Sequence, residues 1–274
     1  MRSVDPHTAV NSRYGQAILT RLPKLNATLE TLLSHRSIRH FLEAPLPPNA
    51  LELLIAAAQS APTSSNLQMW SVVAIEDGAR KARLAQTAGQ QAFIKQAPLL
   101  LVFLADMAIL ANAAQARRQP LKGIEYFDTF LMAALDAGLA AQNALTAAES
   151  MGFGAVFVGA IRNQPEIVIA ELMLPEQVFP IVGLCIGYPD PTQETRIKPR
   201  LPQSAVLHRE QYSDKRQAQA IAVYDEVMRD FYSVYRKDGA CWSEQAFTRL
   251  RGVDTLVGRD RLLQAVHNQK IQLK

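Results

Sequence analysis

One long helical stretch constrains the fold of this chain more than any other feature of its sequence. From Ile124 to Met151 the residues are rich in Ala and Leu and include no Pro, which predicts a single helix of about 42 Å. Only scattered polar residues interrupt the stretch, so apolar side chains occur almost all round the helix. Because surface helices are apolar on one side only, we expect this helix to be buried in a core or between subunits.

Short apolar runs predict the strands that would pack against this helix. The run at 99–104 is apolar on both alternating faces, as in a strand that is covered on each side. We predict strands over residues 71–75, 99–104, 155–161 and 179–187, and further helices over residues 17–33, 51–58, 165–173 and, in two segments, 218–274. Four strands interleaved with roughly seven or eight helices predict an α+β or α/β fold.

The same patterns divide the chain into three parts. Residues 1–12 lack periodicity and are expected to be a mobile lead-in. Residues 13–205 are expected to form the main core, and residues 206–274 a helical extension in which Gly239 marks a break.

Composition and motif searches exclude several classes of protein. The net charge of +4 is carried by scattered basic residues, so we expect no nucleic-acid partner. The longest apolar stretch, Leu99–Ala105, is too short to cross a bilayer, so we expect no membrane partner. Two distant cysteines favour a reducing compartment, and we expect a cytoplasmic protein. The five histidines have no metal-site spacing, and the P-loop, G-x-G-x-x-G and G-x-S-x-G patterns are absent, so we expect no metal.

The first candidate binding segment runs from His35 to Arg39. In an extended chain, side chains alternate faces, so His35, Ser37 and Arg39 project together while Ile38 points into the protein. A guanidinium fork, a hydroxyl and a ring N–H match a phosphate group. The alternative is a solvated basic connector.

Two other polar segments are candidates of the same kind. Thr63-Ser64-Ser65-Asn66 offers hydroxyls and an amide that could bind a heterocycle or a phosphate, although these are also ordinary turn residues. In Lys198-Pro199-Arg200-Leu201-Pro202, two prolines stiffen the loop and hold the flanking cations in a fixed geometry. Fixed cations can stabilise a reduced flavin ring or a phosphate, and an exposed basic turn is the alternative.

The glycines after the long helix permit two interpretations. Gly159 lies inside a predicted strand, where the missing Cβ would let a flat ring approach the chain. Packing of the long helix onto the strand explains the glycines equally well.

Taken in order, these segments resemble the FMN-dependent nitroreductase superfamily, in particular its oxygen-insensitive NADPH nitroreductase and NADPH-flavin oxidoreductase branch. The resemblance is carried by HRSIRHF at 35–41, SAPTSSNLQ at 60–68, AQNALTAAESMGFGAVFVGAIRN at 141–163 and KPRLP at 198–202. It implies an α+β fold with a central, mostly antiparallel sheet flanked by helices, a long buried central helix and a helical C-terminal extension. It also implies a homodimer with an FMN in each of two sites at the subunit interface.

The resemblance further implies which residues bind FMN. They are His35, Arg36, Ser37, Arg39, Thr63, Ser64, Ser65, Gln91, Phe157, Gly159, Ala160, Lys198 and Arg200. Phe157 and Ala160 depart from the pattern, because family members often carry Tyr and Gly there. Arg236 and Lys237 are expected to bind the 2′-phosphate of NADPH, but the extension is less basic there, which leaves the preference between NADPH and NADH open.

These expectations combine in one predicted function. The chain would be an FMN-dependent oxidoreductase that moves two electrons from NADPH to nitroaromatic, quinone or flavin acceptors by a ping-pong mechanism. The flavin carries the chemistry, so no side chain is expected to act as a catalytic acid or base. The alternatives are a flavin-fragmenting or dehydrogenating enzyme of the same fold, and a non-catalytic flavin-binding protein.

Overall fold

The computed structural model describes residues 6–16, 24–235, 239 and 241–274, which belong to two compact units. Unit 1 comprises residues 1–36 and 195–256, and unit 2 comprises residues 37–194 and 257–274. The helices are α1 (Pro6–Tyr14), α2 (Ala27–Ser34), α3 (Ala50–Gln59), α4 (Gly78–Thr87), α5 (Ala92–Gln96), α6 (Ala108–Ala116), α7 (Phe127–Ser150), α8 (Pro165–Glu171), α9 (Gln203–Val206), α10 (Gln217–Ser233), α11 (Trp242–Leu250) and α12 (Leu262–Asn268). The strands are β1 (Trp70–Ile75), β2 (Leu99–Asp106), β3 (Gly154–Val158) and β4 (Val178–Gly187).

The four strands form one antiparallel sheet in unit 2, in the order β1-β2-β4-β3. Alternate residues of β2 enter two different apolar clusters, with Leu100 and Val102 on one face and Leu101 and Phe103 on the other. Residues of α4, α5 and α8 belong to the first cluster, and residues of α3 and α7 to the second. The α+β fold and the prediction of a strand covered on each side are therefore confirmed.

The long helix, α7, begins at Phe127 rather than at Ile124 and ends at Ser150, so it is about 36 Å long. One face is buried, much of it against α3 and the sheet, and consists largely of small side chains: Ala133, Asp136, Ala137, Ala140, Ala141, Ala144, Leu145 and Ala148. The other face is apolar and exposed at every fourth residue: Phe127 (53%), Leu131 (41%), Leu135 (53%) and Leu139 (45%). Within a single chain, the prediction of a buried helix is confirmed for one face only.

Two boundaries predicted from the sequence are wrong. Residues 6–12, assigned to an irregular lead-in, belong to α1, which buries just Ala9 and Val10 among its described side chains and so shows little periodicity. The third strand ends at Val158, and the chain then turns through Gly159–Arg162. This turn puts both Ala160 and Ile161 into one apolar cluster, although successive residues of a strand would face opposite sides.

The sequence pattern assigned no helix to α4, α5 and α6. The amino end of α4 is capped by Asp77, whose side chain accepts the Arg80 N–H at 2.7 Å. The buried face of α4 includes Lys81, whose Nζ donates to the Ala97 carbonyl at 2.5 Å. Burial lowers the pKa of Lys81. A lysine in the middle of a buried stripe interrupts the apolar pattern, which is why periodicity does not reveal this helix.

The end of the chain packs in unit 2 rather than with the rest of the predicted extension. Val266 and Ile271 join an apolar cluster that contains Phe179. The Lys274 carbonyl accepts the Phe127 N–H at 3.1 Å, which fixes the start of α7. The division of the chain into parts 1–12, 13–205 and 206–274 stays a prediction.

The core of unit 1 is built on α10. Tyr224, Met228 and Tyr232 follow one another at four-residue intervals and are buried together. Asp225 accepts the Ser243 N–H at 2.8 Å, which joins α10 to the first turn of α11.

Candidate functional site

An extended segment along β3 carries the first group of predicted site residues in unit 2. Ser37 pairs in parallel with Ala155, and the Ile38 N–H donates to the Ala155 carbonyl at 3.0 Å. Ile38 is 4% exposed, and a Cβ added at Gly154 would lie 2.6 Å from its side chain. This tight contact fixes the main chain on either side of Ile38. Arg39 is exposed and so can reach a ligand.

Residues 63–66, called the hydroxyl loop below, form a 3-10 turn over Ser64–Asn66 with an unusual backbone. Ser65 (φ 49°) and Asn66 (φ 56°) are both left-handed, a conformation that costs about 1 kcal/mol or more for each non-glycine residue. The Ser64 N–H donates to Asp136 Oδ1 at 2.9 Å. Asp136 thus holds a strained loop in place from α7.

Asp136 is a residue whose importance the sequence interpretation missed. It is fully buried, and its Oδ2 has no hydrogen-bond partner within the described residues. The signal was present, because Asp136 is one of the few acids on an otherwise apolar helix. A buried carboxylate needs a hydrogen-bond donor, and the neighbouring loop provides one.

The hydroxyl loop borders a cavity of about 620 Å³ in unit 2. Its walls come from α3, the hydroxyl loop, β1 and α6, and they include Thr63, Asn66, Gln68, Trp70 and Ile109. Cavities of this size hold small organic ligands. Thr63 lines this cavity, whereas Ser64 and Ser65 do not.

The carboxyl end of β3 is open. Phe157 is 36% exposed, whereas the other four residues of β3 are buried. A Cβ added at Gly159 would have one neighbour within 4 Å, the Arg162 guanidinium at 3.7 Å. Ala160 is buried in an apolar cluster, so its side chain faces away from any ligand at the surface. A Cβ at Gly159 would therefore make only an ordinary van der Waals contact.

Arg162 lies beside this open end, and the turn before Gln91 lies beside Asn163. Gln91 follows a tight turn at Gly89 (φ 75°), and a Cβ added at Gly89 would lie 3.8 Å from the Asn163 side chain. Arg162 donates to the Ile181 carbonyl, and burial, with a smaller effect from Arg259, lowers its pKa. The sequence interpretation did not select Arg162, although the GAIRN motif contains it.

The cationic segments of unit 1 are brought together by one arginine. Arg13 of α1 donates to the His35 carbonyl at 2.8 Å and to the Lys198 carbonyl at 3.3 Å. The neighbouring Arg36 donates from Nε to Thr195 Oγ1 at 2.9 Å. The main chain at His35 and the main chain at Lys198 thus share a partner within unit 1, while a common binding site stays a prediction.

The loop of Lys198 and Arg200 has a fixed main chain and exposed cations. Tyr224 donates its hydroxyl to the Pro199 carbonyl at 2.8 Å, and Pro199 is buried. Lys198 Nζ lies 5.5 Å from the centre of the Tyr232 ring, and Arg200 is exposed. The main chain of this loop is therefore tied to α10, while a role of its cations in ligand binding stays a prediction.

The predicted FMN-binding residues are distributed over the two units. His35, Arg36, Lys198 and Arg200 belong to unit 1, and Ser37, Arg39, Thr63, Ser64, Ser65, Gln91, Phe157, Gly159 and Ala160 belong to unit 2. Arg236 and Lys237 lie outside the described residues.

Other chemistries lack a suitable cluster in the described part of the chain. No group of three or more His, Cys, Asp or Glu side chains there could hold a metal ion. Cys185 and Cys241 are free and buried, and burial raises the pKa of the Cys185 thiol to about 12. None of the described helices has the length and apolarity needed to cross a membrane.

Comparison with known proteins gives a consistent result. The family model "Nitroreductase family" matches residues 32–188, and the model "Nitroreductase family, C-terminal domain" matches residues 198–274. The chain is 37% identical over 227 residues to an FMN reductase [NAD(P)H] of Bacillus subtilis, covering 80% of this chain and 89% of that protein. It is 36% identical over 253 residues to an oxygen-insensitive NADPH nitroreductase of Salmonella typhimurium, covering 89% of this chain and 98% of that protein. The solved structure of B. megaterium NfrA2 superposes with a TM-score of 0.86 at 34% identity, covering 91% of this chain and all of that one.

Proposed function

This chain belongs to the nitroreductase family, and from that premise we propose that it is an FMN-dependent oxidoreductase. It moves two electrons from NADPH to nitroaromatic, quinone or flavin acceptors by a ping-pong mechanism. The names of two relatives, an FMN reductase and an NADPH nitroreductase, support both the cofactor and the acceptors.

One observation carries the proposal: the main chain of the Lys198–Arg200 loop is held in place by hydrogen bonds, and both of its cationic residues are exposed. The Lys198 and Pro199 carbonyls accept hydrogen bonds from Arg13 and Tyr224, and these bonds fix the main chain that carries the two charged side chains. A cation at a fixed position stabilises the negative charge that a flavin ring gains on reduction.

The donor set on the chain fits FMN. Arg39 and the Lys198–Arg200 loop present exposed cations that match a phosphate and a ring edge. The flat ring would approach the main chain at Gly159, where an added Cβ would have one neighbour within 4 Å. Bound FMN supplies the two-electron chemistry, while the residues of the chain bind and orient it. The thirteen residues proposed to do so are His35, Arg36, Ser37, Arg39, Thr63, Ser64, Ser65, Gln91, Phe157, Gly159, Ala160, Lys198 and Arg200.

The functional molecule is a homodimer in this proposal, with an FMN at each of two sites in the interface. The exposed apolar stripe of α7, from Phe127 to Leu139, is unusual for a surface helix. Leu53 of α3, a helix that packs on α7, is also 55% exposed. A second copy of the chain would remove these side chains from water, so Leu135→Glu should shift sedimentation from dimer toward monomer.

The electron donor and the location complete the proposal. NADPH is the co-substrate, and Arg236 and Lys237 bind its 2′-phosphate. The protein is cytoplasmic, since its two cysteines are free and buried and a reducing compartment suits them.

A spectrum and an anaerobic assay test this function. The purified protein should bind FMN and show its visible absorption, and NADPH should bleach it in a single turnover. Adding one equivalent of a nitroaromatic or of free FMN for each reduced bound flavin should then restore the absorption.

Each other result identifies a different function. A colourless chain that takes up no FMN would end the proposal. Bound FMN that NADPH does not reduce would indicate a flavin-binding protein. Consumption of the flavin ring itself would indicate a flavin-fragmenting enzyme.

A further inference from the structure

Arg13 occupies an unusual position in unit 1. It lies on α1, before residue 32, where the family match begins. Its guanidinium nevertheless contacts the main chain of two segments that contain proposed FMN-binding residues. These contacts are made to carbonyl groups, so they fix the backbone of both segments.

The first contact sets where α2 ends. Arg13 Nη2 donates to the Leu33 carbonyl at 2.9 Å and to the His35 carbonyl at 2.8 Å. The last carbonyls of a helix lack intrahelical partners and carry partial negative charge, so a guanidinium is well suited to cap them. The backbone becomes extended at His35 (φ −50°, ψ 130°), directly beyond this cap.

A second set of contacts joins α1 to the Lys198–Arg200 loop, and each of the two segments donates a hydrogen bond to the other. Arg13 Nη1 donates to the Lys198 carbonyl at 3.3 Å, and the Arg200 N–H donates to the Arg13 carbonyl at 2.9 Å. Arg200 Nη1 also donates to the Lys198 carbonyl at 3.1 Å. One arginine therefore sets the spacing between the His35 and Lys198 segments.

We infer that Arg13 is a positioning residue of the flavin site, acting through the main chain of His35 and of the Lys198–Arg200 loop. The inference rests on the proposed function. Exposed lysine and arginine side chains lose conformational freedom when they bind a ligand. A backbone that is already fixed lowers that cost, so Arg13 raises FMN affinity without touching FMN.

The test is a titration of FMN into the apoprotein, followed by quenching of flavin fluorescence. Arg13→Gln should raise the Kd for FMN about tenfold, because several hydrogen bonds that fix the loop are lost. Arg229→Gln is the matched control, since Arg229 of α10 is exposed and pairs with Glu226. The control should leave the Kd unchanged.

A double-mutant cycle separates positioning from a general structural role. In a Lys198→Gln background, Arg13→Gln should raise the Kd less than about threefold, because the two residues act through the same loop. A full tenfold effect in that background, or an unchanged Kd in Arg13→Gln alone, would overturn the inference.

A milder variant covers the case in which Arg13→Gln does not fold, as judged by circular dichroism. Arg13→Lys keeps a cation that can reach one or two of the carbonyls, so its Kd should lie between those of the wild type and the tenfold value. A wild-type Kd for Arg13→Lys in that case would overturn the inference. Failure of the wild-type apoprotein to bind FMN refutes the proposed function instead, so the two failures are distinguishable.

Discussion

The two ends of β3 use glycine for opposite purposes. At the amino end, a Cβ on Gly154 would lie 2.6 Å from Ile38. The glycine is therefore required for the extended segment at Ser37 and Ile38, the edge segment, to pack along β3. At the carboxyl end, a Cβ on Gly159 would lie 3.7 Å from its nearest neighbour, so the glycine leaves space. One end is closely packed, and the other has space beside the main chain.

This difference resolves an ambiguity in the sequence. Glycines near β3 were compatible with close packing and with approach of a flat ring. Close packing holds for Gly154, whose tight partner is Ile38 rather than the long helix, whereas the approach of a flat ring at Gly159 stays a prediction. Gly152 has a third role, because its φ of 84° ends α7.

The largest expected effect is at the packed end. Gly154→Ala should lower the free energy of unfolding by about 3 kcal/mol, because the new methyl group overlaps Ile38 and forces the edge segment away. Urea denaturation measures this. Gly159→Ala is the matched control and should stay within about 0.5 kcal/mol of the wild type. Equal losses at both positions would show that the two ends do not differ.

The next effect concerns binding beside the packed end. Arg39→Ala should weaken FMN binding about 30-fold, on the order of 2 kcal/mol, because a charge-assisted contact to the phosphate is lost. Stability should hardly change, since Arg39 is exposed. Flavin fluorescence titration measures the Kd, with Arg80→Ala as an exposed arginine that pairs with Glu171. An unchanged Kd would remove Arg39 from the site.

A smaller effect on binding is expected at the open end. Gly159→Ala should raise the Kd for FMN about fivefold, near 1 kcal/mol, because the methyl group occupies space that the ring needs. The same variant should unfold like the wild type, so the loss is one of binding alone. Wild-type affinity would mean that no ligand approaches Gly159.

The smallest effect concerns the ion pairs between α4 and α8. Glu171 of α8 accepts hydrogen bonds from Arg83 and Arg80 of α4, and these, Arg83 foremost, lower its pKa to about 2. Its stabilising contribution is complete above the unfolded pKa of about 4.3 and is lost as the pH falls toward 2. Glu171→Gln should therefore lose less stability than the wild type between pH 5 and pH 2.5 in urea titrations. Parallel curves would show that the ion pairs are not coupled to folding.

The sequence predicted the elements that carry strong local signals. The apolar run of β2 and the Ala-rich stretch of α7 were located to within three residues at each end. The Ile38 side chain faces the core, as strand alternation required. The family resemblance is confirmed, and it supplied the antiparallel sheet that periodicity alone left undecided.

Features that depend on distant contacts could not be predicted. The cap that Arg13 provides for α2 and the bond between Asp136 and Ser64 join residues far apart in sequence. The left-handed Ser65 persists because tertiary contacts hold it, whereas its residue type gives no warning. Even so, both Arg13 and Asp136 contact segments that the sequence had already selected.

The two buried thiols can report how often each unit opens. Cys185 belongs to unit 2 and Cys241 to unit 1, and their exposures are 0% and 2%. An alkylating reagent can modify either sulfur only after the surrounding structure opens. The rates at which the two sites acquire label, followed by mass spectrometry of the peptides, would therefore report how often each unit opens on its own.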